Sequence, residues 1–230
     1  KQVKFNEQIN ENAKIYIKNE LLPIISQILS PLCTCTIAED GFSINVRYPN
    51  AFDDSYLRPE ILLEIGTLAS WLPSDKFEIS SFAALKFPQV FEQEKCSVNT
   101  IVAKRTFWEK ATILHHEANR PKDSAMPIRY SRHYYDLAMM AGDKVKNDAL
   151  ADLELLKNVV DFKQKFYPRS WAKYEEATPG TLKLLPPEFR LEALKKDYQA
   201  MQNMIFDKKI SFDETINTLK KLESELNKTL

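Results

Sequence analysis

Glycine and cysteine are both scarce in this chain, which has four glycines and three cysteines among its 230 residues. Tight hairpins usually need glycine, so few of them are expected and a helix-rich protein is favoured. The odd number of cysteines argues against a disulfide framework and indicates a reducing compartment, which we take to be the cytoplasm. No apolar run approaches the roughly 20 residues of a membrane-spanning helix, so no membrane partner is predicted.

An excess of charge is also lacking, because 32 lysines and arginines balance 32 aspartates and glutamates. A protein that coats nucleic acid, or an acidic disordered chaperone, would carry charge of mainly one sign, so both classes are disfavoured. Hydrophobic residues make up 44% of the chain and charged residues 28%, which is ordinary for a soluble globular protein. Any site for a polyanion must therefore be local.

The order of hydrophobic patterns along the chain predicts an α+β fold. Apolar residues at helical spacing predict a helix over residues 6–29, which Pro23 should kink or split. Short β-like segments follow at residues 34–38, 42–48, 61–65, 77–80 and 98–102. From Lys104 onward the pattern is helical. We therefore predict a sheet-containing part over residues 1–103 and a helical domain over residues 104–230.

Start and stop signals divide the helical half into elements. Apolar spacing predicts one helix over residues 147–166. Pro186 and Pro187 open a helix that extends to about residue 205. Ser211 followed by Glu214 is a capping box, which predicts the start of the last helix.

Positive charge concentrates in residues 95–133. This stretch has eight lysines and arginines against three acidic residues, so its net charge is +5 in a chain that is neutral overall. Such a stretch can receive the phosphates of a nucleotide or of an RNA backbone. A solvated helical surface is the alternative, and the sequence leaves both interpretations open.

Two residues within or beside this stretch are candidates for chemistry. Lys110 borders an apolar helical stripe, where it can bind a triphosphate as a point charge or serve as a structural lysine. Asp136 follows Arg129, Arg132 and His133 at helical spacing, which predicts one shared face. Asp136 can act as a general base, a metal ligand or the partner of an arginine, for example in an Arg132–Asp136 ion pair.

Four other features of the chain bear on possible chemistry. Glu64 is an isolated acid in an apolar strand, which is costly unless the acid is paired, functional or turned outward from an edge strand. The adjacent histidines His115 and His116 point to different helix faces, so a zinc site is disfavoured. The Asp-Asp pair at residues 53–54 indicates a solvated loop. Cys33 and Cys35 share one face of a strand and indicate small core residues rather than a metal or redox pair.

Two blocks of sequence resemble a known protein family. Arg-Thr-Phe-Trp-Glu-Lys-Ala-Thr-Ile-Leu-His at residues 105–115 and Ser-Arg-His-Tyr-Tyr-Asp-Leu at residues 131–137 are similar to the nucleotidyltransferase AbiEii/AbiGii toxin family. The similarity continues at residues 48–49, 63–66, 162–167, 185–187 and 197–201. It therefore extends over most of the chain.

The resemblance implies a polymerase-β-like nucleotidyltransferase, with a small, mostly antiparallel sheet as the remnant of its core and a helical bundle after it. Such a toxin moves a nucleotide from an NTP to an acceptor such as tRNA, is neutralised by an antitoxin protein and uses Mg²⁺ held by carboxylates. The resemblance assigns catalytic roles to Lys110, Asp136 and Glu64, and it makes Glu64 a metal ligand as well. The implied phosphate-binding residues are Arg105, Lys110, Arg132 and His133.

The chain departs from the family pattern at its beginning. The family opens with a Gly-Ser or Gly-Gly-Thr segment and an Asp-x-Asp pair, and no glycine here begins such a segment. The only similar acidic pair, Asp152 and Glu154, lies inside a predicted helix and indicates surface. The chain also begins with Lys1, so we expect an N-terminally incomplete fragment that cannot transfer nucleotides by itself. The alternatives are an inactive relative that binds RNA or a partner protein, and a helical interaction module.

Overall fold

The computed structural model describes residues 2–49, 60–66, 70–205 and 209–228, with side chains from residue 6 onward. Contacts divide the chain into two compact units, Lys1–Ser70 and Trp71–Leu230. The boundary that the sequence predicts at residues 103–104 falls where the last strand gives way to a long helix, and it stays a prediction of domain organisation.

The first unit opens with two α-helices, α1 (Gln2–Tyr16) and α2 (Leu22–Leu29), joined by a π-helical segment, Ile17–Leu21. Pro23 lies at the start of α2 and has no N–H, so regular hydrogen bonding cannot continue through it. The backbone adapts just before the proline, where the Leu22 N–H donates to the carbonyl of Ile17. The interruption predicted at Pro23 is thus a π-helical turn.

A three-stranded antiparallel sheet follows, in the order β1 (Thr34–Ile37), β2 (Ser43–Arg47), β3 (Glu60–Glu64). Ile44 and Val46 of β2 point inward and are buried, in the alternation expected of a strand with one covered face. They form a small core with Ile17, which is also buried. Cys33 and Cys35 pack against this core with free thiols, which fits their predicted role as core residues.

The second unit begins with a two-stranded antiparallel sheet, β4 (Ser74–Ile79) and β5 (Cys96–Ile101). A short helix, α3 (Phe82–Lys86), lies between the strands, and the Ser81 hydroxyl accepts a hydrogen bond from the Ala84 N–H at its start. All five predicted β-like segments therefore form strands in the two sheets.

Helices make up the rest of the second unit, in the order α4 (Ala103–Ala118), α5 (Ser131–Ala141), α6 (Lys144–Leu150), α7 (Leu153–Phe166), α8 (Leu191–Ala200), α9 (Phe212–Lys228). The prediction of one helix over residues 147–166 is wrong, because the chain breaks between α6 and α7. Asp152 causes the break, since its carboxylate accepts a hydrogen bond from the Leu155 N–H and caps α7. Asp152 is therefore a cap, not a residue of a helix interior.

The predicted capping box at the start of α9 is confirmed. The Ser211 N–H donates to the Glu214 carboxylate at 2.7 Å, and the Glu214 N–H donates to the Ser211 hydroxyl at 3.1 Å. These two bonds satisfy donors that the first turn of a helix leaves without partners.

One large core joins the helices of the second unit. It contains Phe107, Trp108 and Leu114 of α4, and Tyr134 and Leu137 of α5, all of them almost completely buried. The α+β class is confirmed, with two small antiparallel sheets and a larger helical part toward the C-terminus. Within the described ranges, no helix has the length and apolar character needed to cross a membrane.

Candidate functional site

The candidate site lies where α4 and α5 meet. Phe107 and Leu114 are separated by two turns of α4 and share its buried face, whereas Tyr134 and Leu137 bury the facing side of α5. Lys110 lies beside the buried stripe of α4 and Asp136 beside that of α5. Packing of the two apolar stripes therefore brings the polar residues at their edges together.

Lys110 contacts two of the residues predicted for the site. Its Nζ lies 2.7 Å from Asp136 Oδ2 and 3.0 Å from His133 Nδ1. Its side chain is 19% exposed and that of Asp136 is 38% exposed, so the ion pair is screened but not fully solvated. Asp136 pairs with Lys110 instead of forming the Arg132–Asp136 ion pair considered above. The structure thus joins Lys110, His133 and Asp136 in one cluster.

The charge state of His133 follows from its surroundings. Burial is the main cause that lowers the pKa of His133 to about 3, and the positive charges of Lys110 and Arg132 lower it further. The imidazole is therefore neutral at neutral pH. Its Nδ1 accepts a hydrogen bond from the Lys110 ammonium, which leaves the proton on Nε2. Towards a phosphate, His133 can offer one neutral N–H donor but no positive charge.

The predicted shared face of four residues is only partly present. Arg129 precedes α5 and has a positive φ of 63°, so it is outside the helix. The Arg129 N–H donates to one carboxylate oxygen of Asp197, and the Ser131 N–H donates to the other. Arg132 does lie on α5, but it is exposed, whereas its neighbour His133 is buried. Only Arg132, His133 and Asp136 therefore belong to the helix.

Arg105 is buried at the start of α4. Its Nη1 donates to the carbonyl of Leu72 at 2.6 Å and its Nε donates to Glu109 Oε1 at 3.0 Å, while its side chain is only 3% exposed. These bonds tie α4 to the segment that precedes β4. Two of the guanidinium nitrogens are thus already engaged by partners within the fold. The phosphate-binding role implied for Arg105 stays a prediction.

Glu64 belongs to the first unit, where it is the last residue of β3. It is exposed, and among the described strands β3 lies at the edge of its sheet, where Glu64 pairs with Ser43 of β2. The cost of an acid in an apolar strand is thus relieved by exposure at an edge, which was one of the interpretations left open. The catalytic and metal-binding roles implied for Glu64 stay predictions.

Among the described residues, no cluster of side chains would hold a metal ion by itself, although Mg²⁺ often takes only one or two carboxylates and completes its shell with water and substrate phosphates. This ion prefers several oxygen ligands, mainly carboxylates and water. No group of three or more histidine, cysteine, aspartate or glutamate side chains that could hold a metal occurs in the described ranges. Asp136 is already engaged by the Lys110 ammonium. The acidic pair at residues 53–54 lies outside the described residues.

The two adjacent histidines of α4 have structural partners. His115 is fully buried, and its Nδ1 accepts from the Lys183 N–H while its Nε2 donates to the Lys173 carbonyl. His116 Nδ1 lies 3.1 Å from the Tyr174 hydroxyl, and its ring packs against Trp171. Burial and the nearby cation Arg120 lower the pKa of His116 to about 4. These contacts anchor residues 171–183 to α4.

The basic stretch at residues 95–133 is largely neutralised within the fold. Five of its eight cations form ion pairs with carboxylates: Lys95 with Glu78, Lys104 with Asp152, Arg105 with Glu109, Lys110 with Asp136, and Arg120 with Glu117. Three of these acids lie outside the stretch, so a local count along the sequence could not include them. The structure therefore offers less free positive charge than the count of +5 suggests.

A residue that the sequence analysis did not single out lies beside the site. Lys163 of α7 donates from Nζ to the carbonyl of Glu109 at 3.1 Å, next to Lys110 in the chain. The sequence did hold a signal, because Lys163 follows the buried Val159 and Val160 at spacings of four and three residues. A lysine that continues an apolar stripe lies toward the interior of the fold.

Comparison with known proteins identifies a family. The model of the nucleotidyl transferase AbiEii toxin family, of the type IV toxin–antitoxin systems, matches residues 2–218. Neither curated proteins nor solved structures gave a match. The family match covers nearly the whole chain and agrees with the resemblance carried by the two sequence blocks. The chain therefore belongs to the nucleotidyl transferase AbiEii toxin family.

Proposed function

We propose that the cluster of Lys110, His133 and Asp136 binds the polyphosphate of an NTP for nucleotidyl transfer. Membership of the toxin family supports this reaction class. The observation that carries the proposal is the convergence of two side chains, Asp136 and His133, on the Lys110 ammonium at 2.7 Å and 3.0 Å. A lysine held in this way presents a compact positive charge, which suits the oxygens of a triphosphate.

The proposed chemistry assigns one role to each residue. The acceptor hydroxyl attacks the α-phosphorus of the NTP, a new P–O bond forms, and the bond to pyrophosphate breaks. Lys110 neutralises charge on the polyphosphate. Asp136 orients the Lys110 ammonium through Oδ2, while its second oxygen takes up the proton of the attacking hydroxyl. His133 supplies a neutral donor from Nε2 and keeps the ammonium in place.

The acceptor and the partners are part of the same proposal. We infer that the acceptor is an RNA such as tRNA, as the resemblance of the two sequence blocks implies. We also infer that a separate antitoxin protein neutralises the toxin, as membership of a toxin–antitoxin family suggests. The neutralised basic stretch does not add support for a broad RNA-binding surface. Arg132 is exposed and precedes His133 of the cluster in the chain, so its guanidinium is open to a phosphate. Mg²⁺ and a cytoplasmic location stay predictions.

The chain by itself is proposed to bind a nucleotide without transferring it. None of its four glycines begins the Gly-Ser segment of the family, and its only similar acidic pair contains the cap residue Asp152. The test is to incubate the chain with tRNA and each labelled NTP and to measure label in RNA. We expect no incorporation, and steady incorporation would show that this part of the proposal is wrong.

Nucleotide binding to the chain tests the site directly. Calorimetric titration with the four NTPs should give binding that Lys110→Met weakens more than about tenfold, since a hydrogen bond to a charged group is worth about 1.5–3 kcal/mol. Asp136→Asn should not weaken binding, because it releases the ammonium from its carboxylate. Lys104→Met removes a similar ion pair of α4, to Asp152 at 2.6 Å, and serves as the matched control.

The outcomes separate the proposal from its alternatives. Equal NTP affinity in the unsubstituted chain and in both site variants would show that the site is assigned wrongly. RNA binding without NTP binding would favour the inactive, RNA-binding relative. Binding of neither ligand would favour the helical interaction module.

A further inference from the structure

Lys163 is a lysine near Lys110 that has no role in the proposed function. It lies on α7, and its residue as a whole is only partly exposed. Its Nζ donates to the carbonyl of Glu109, which is the residue before Lys110. The amine of Lys163 thus contacts the backbone of α4 from a third helix, at the residue before the site lysine.

Charge balance sets Lys163 apart from its neighbours. Arg105 is paired with Glu109 and Lys110 is paired with Asp136, so each of these cations has its own carboxylate. In the part of the chain that the structure describes, no carboxylate lies within 4.0 Å of Lys163 Nζ, the distance that defines an ion pair. One carbonyl satisfies only one of the three N–H donors of an ammonium. A poorly solvated ammonium with so little compensation is costly unless an anion joins it.

The electrostatics connect Lys163 to the site. Burial is the main cause that lowers the pKa of Lys163 to about 7, and repulsion by Arg105 and Lys110 lowers it further, whereas Glu109 acts in the opposite direction. Lys163 in turn lowers the pKa of His133 on α5 and of His116 on α4. Lys163 and the cluster of Lys110, His133 and Asp136 therefore share one electrostatic environment.

We propose that Lys163 is a second cation of the Lys110 site, which binds phosphate oxygens of the NTP and takes up a proton from solvent as the nucleotide arrives. The inference rests on the proposed function. The proton converts a neutral amine to an ammonium, and the phosphate supplies the negative charge that the fold does not. The ammonium then keeps its hydrogen bond to the Glu109 carbonyl and directs its remaining N–H donors to the phosphate. In this step an N–H bond forms on Lys163 and the bond to hydrogen in a hydronium ion or buffer acid breaks, and no other covalent bond changes.

Proton uptake on NTP binding is the distinguishing measurement. Calorimetric titrations at pH 8 in two buffers of different ionisation enthalpy give the number of protons taken up per NTP bound. At this pH Lys163 is mostly neutral and the NTP phosphates are ionised, so we expect uptake that approaches one proton. Uptake near zero would overturn the inference.

Two substitutions at Lys163 separate charge from protonation. Lys163→Met should weaken NTP binding about 10- to 100-fold and abolish the proton uptake, because the ammonium is lost. Lys163→Arg should retain binding without proton uptake, because a guanidinium stays charged at pH 8. Lys157→Met removes an exposed lysine of the same helix and should change neither quantity. Far-ultraviolet circular dichroism checks the fold of each variant.

The results distinguish failure of this inference from failure of the proposed function. NTP binding that depends on Lys110, but keeps its affinity and proton uptake in Lys163→Met, would overturn the role of Lys163 alone. If Lys163→Met does not fold, Lys163→Arg decides, since continued proton uptake in that variant would also overturn the role. If the unsubstituted chain binds none of the four NTPs, both proposals are wrong.

Discussion

The ammonium of Lys110 lies 2.7 Å from Asp136 Oδ2, across the contact between α4 and α5. The two residues are 26 positions apart in the chain, so only the packing of the two helices can join them. That packing depends on apolar residues beside each of them, such as Phe107 and Leu137, which are completely buried. The distance between Lys110 and Asp136 therefore depends on how the apolar stripes of α4 and α5 align.

Coupling between Lys110 and Asp136 should be measurable but modest. A double-mutant cycle with Lys110→Met and Asp136→Asn, measured by urea unfolding, should give a coupling free energy of about 0.5–1 kcal/mol at low salt. The value should fall in 1 M NaCl, because both side chains are partly exposed and salt screens them. The more exposed pair of Lys173 and Glu176 provides a control with smaller coupling. Zero coupling at low salt would show that the ion pair does not persist in solution.

His133 should make stability depend on pH. Its pKa is about 3 in the folded chain and ordinarily 6.5, so below pH 6.5 the unfolded chain binds a proton that the folded chain does not. The free energy of unfolding therefore falls as the pH falls from 6.5 toward 3, by at most about 1.4 kcal/mol per pH unit. Between pH 6.5 and 5 it should fall about 1–2 kcal/mol further than in His133→Asn.

His133→Asn serves as the control for this prediction. His116, with a pKa of about 4, adds the same pH dependence to the stability of the unsubstituted chain and of His133→Asn, so its contribution cancels when the two are compared. Urea unfolding at pH 7, 6 and 5 measures the difference. Identical pH dependence in the two proteins, or a His133 resonance that titrates near pH 6.5, would contradict the prediction.

The sequence predicted features that depend on short spacings. Alternation located the strands, including β2 with its buried Ile44 and Val46, and the capping box located the start of α9. The break before α7 was missed because the cap residue Asp152 stands within an otherwise helical apolar pattern. Capping prevailed there over periodicity, since a side chain that satisfies a free backbone N–H favours a new helix start.

The site shows a similar division. The resemblance pointed to Lys110 and Asp136, and the structure brings them together. The neutralisation of the basic stretch was not predictable, because acids such as Glu78 and Asp152 approach it only through the tertiary fold. The spacing of Lys163 from Val159 and Val160 did indicate an inward side chain, but its contact with α4 was not predictable, since its partner is a backbone carbonyl on another helix. Backbone partners carry no signature in a sequence.

Asp197 should be important for the start of α5. Its two carboxylate oxygens accept the N–H groups of Arg129 and Ser131 at 2.8 Å and 2.9 Å, which caps a helix whose own preceding residue, Tyr130, provides no side-chain cap. Asp197→Ala should lower the free energy of unfolding by about 1–3 kcal/mol, because two backbone donors lose a charged acceptor. Asp197→Asn keeps one acceptor and should lie between.

Urea unfolding of the Asp197 variants checks this expectation, with Lys196→Ala as the control at an exposed neighbour in α8. A loss below about 0.5 kcal/mol for Asp197→Ala, comparable to an ordinary surface substitution, would show that the cap does not stabilise α5.

Asp152 combines two functions that substitutions can separate. Its Oδ1 caps α7 by accepting the Leu155 N–H at 3.1 Å, and its Oδ2 pairs with Lys104 Nζ at 2.6 Å. The hydrogen bond from Lys104 is the main cause that lowers the pKa of Asp152, so both contacts are present at neutral pH. Asp152→Ala loses both contacts, whereas Lys104→Met loses only the ion pair.

We expect Asp152→Ala to lower the free energy of unfolding by about 1–2 kcal/mol, most of it from the cap, and Lys104→Met by less than about 1 kcal/mol, because a partly exposed ion pair contributes little. Asp152→Ser keeps a capping oxygen without the charge and should recover most of the loss. Equal losses in Asp152→Ala and Lys104→Met would mean that the ion pair, and not the cap, sets the break between α6 and α7.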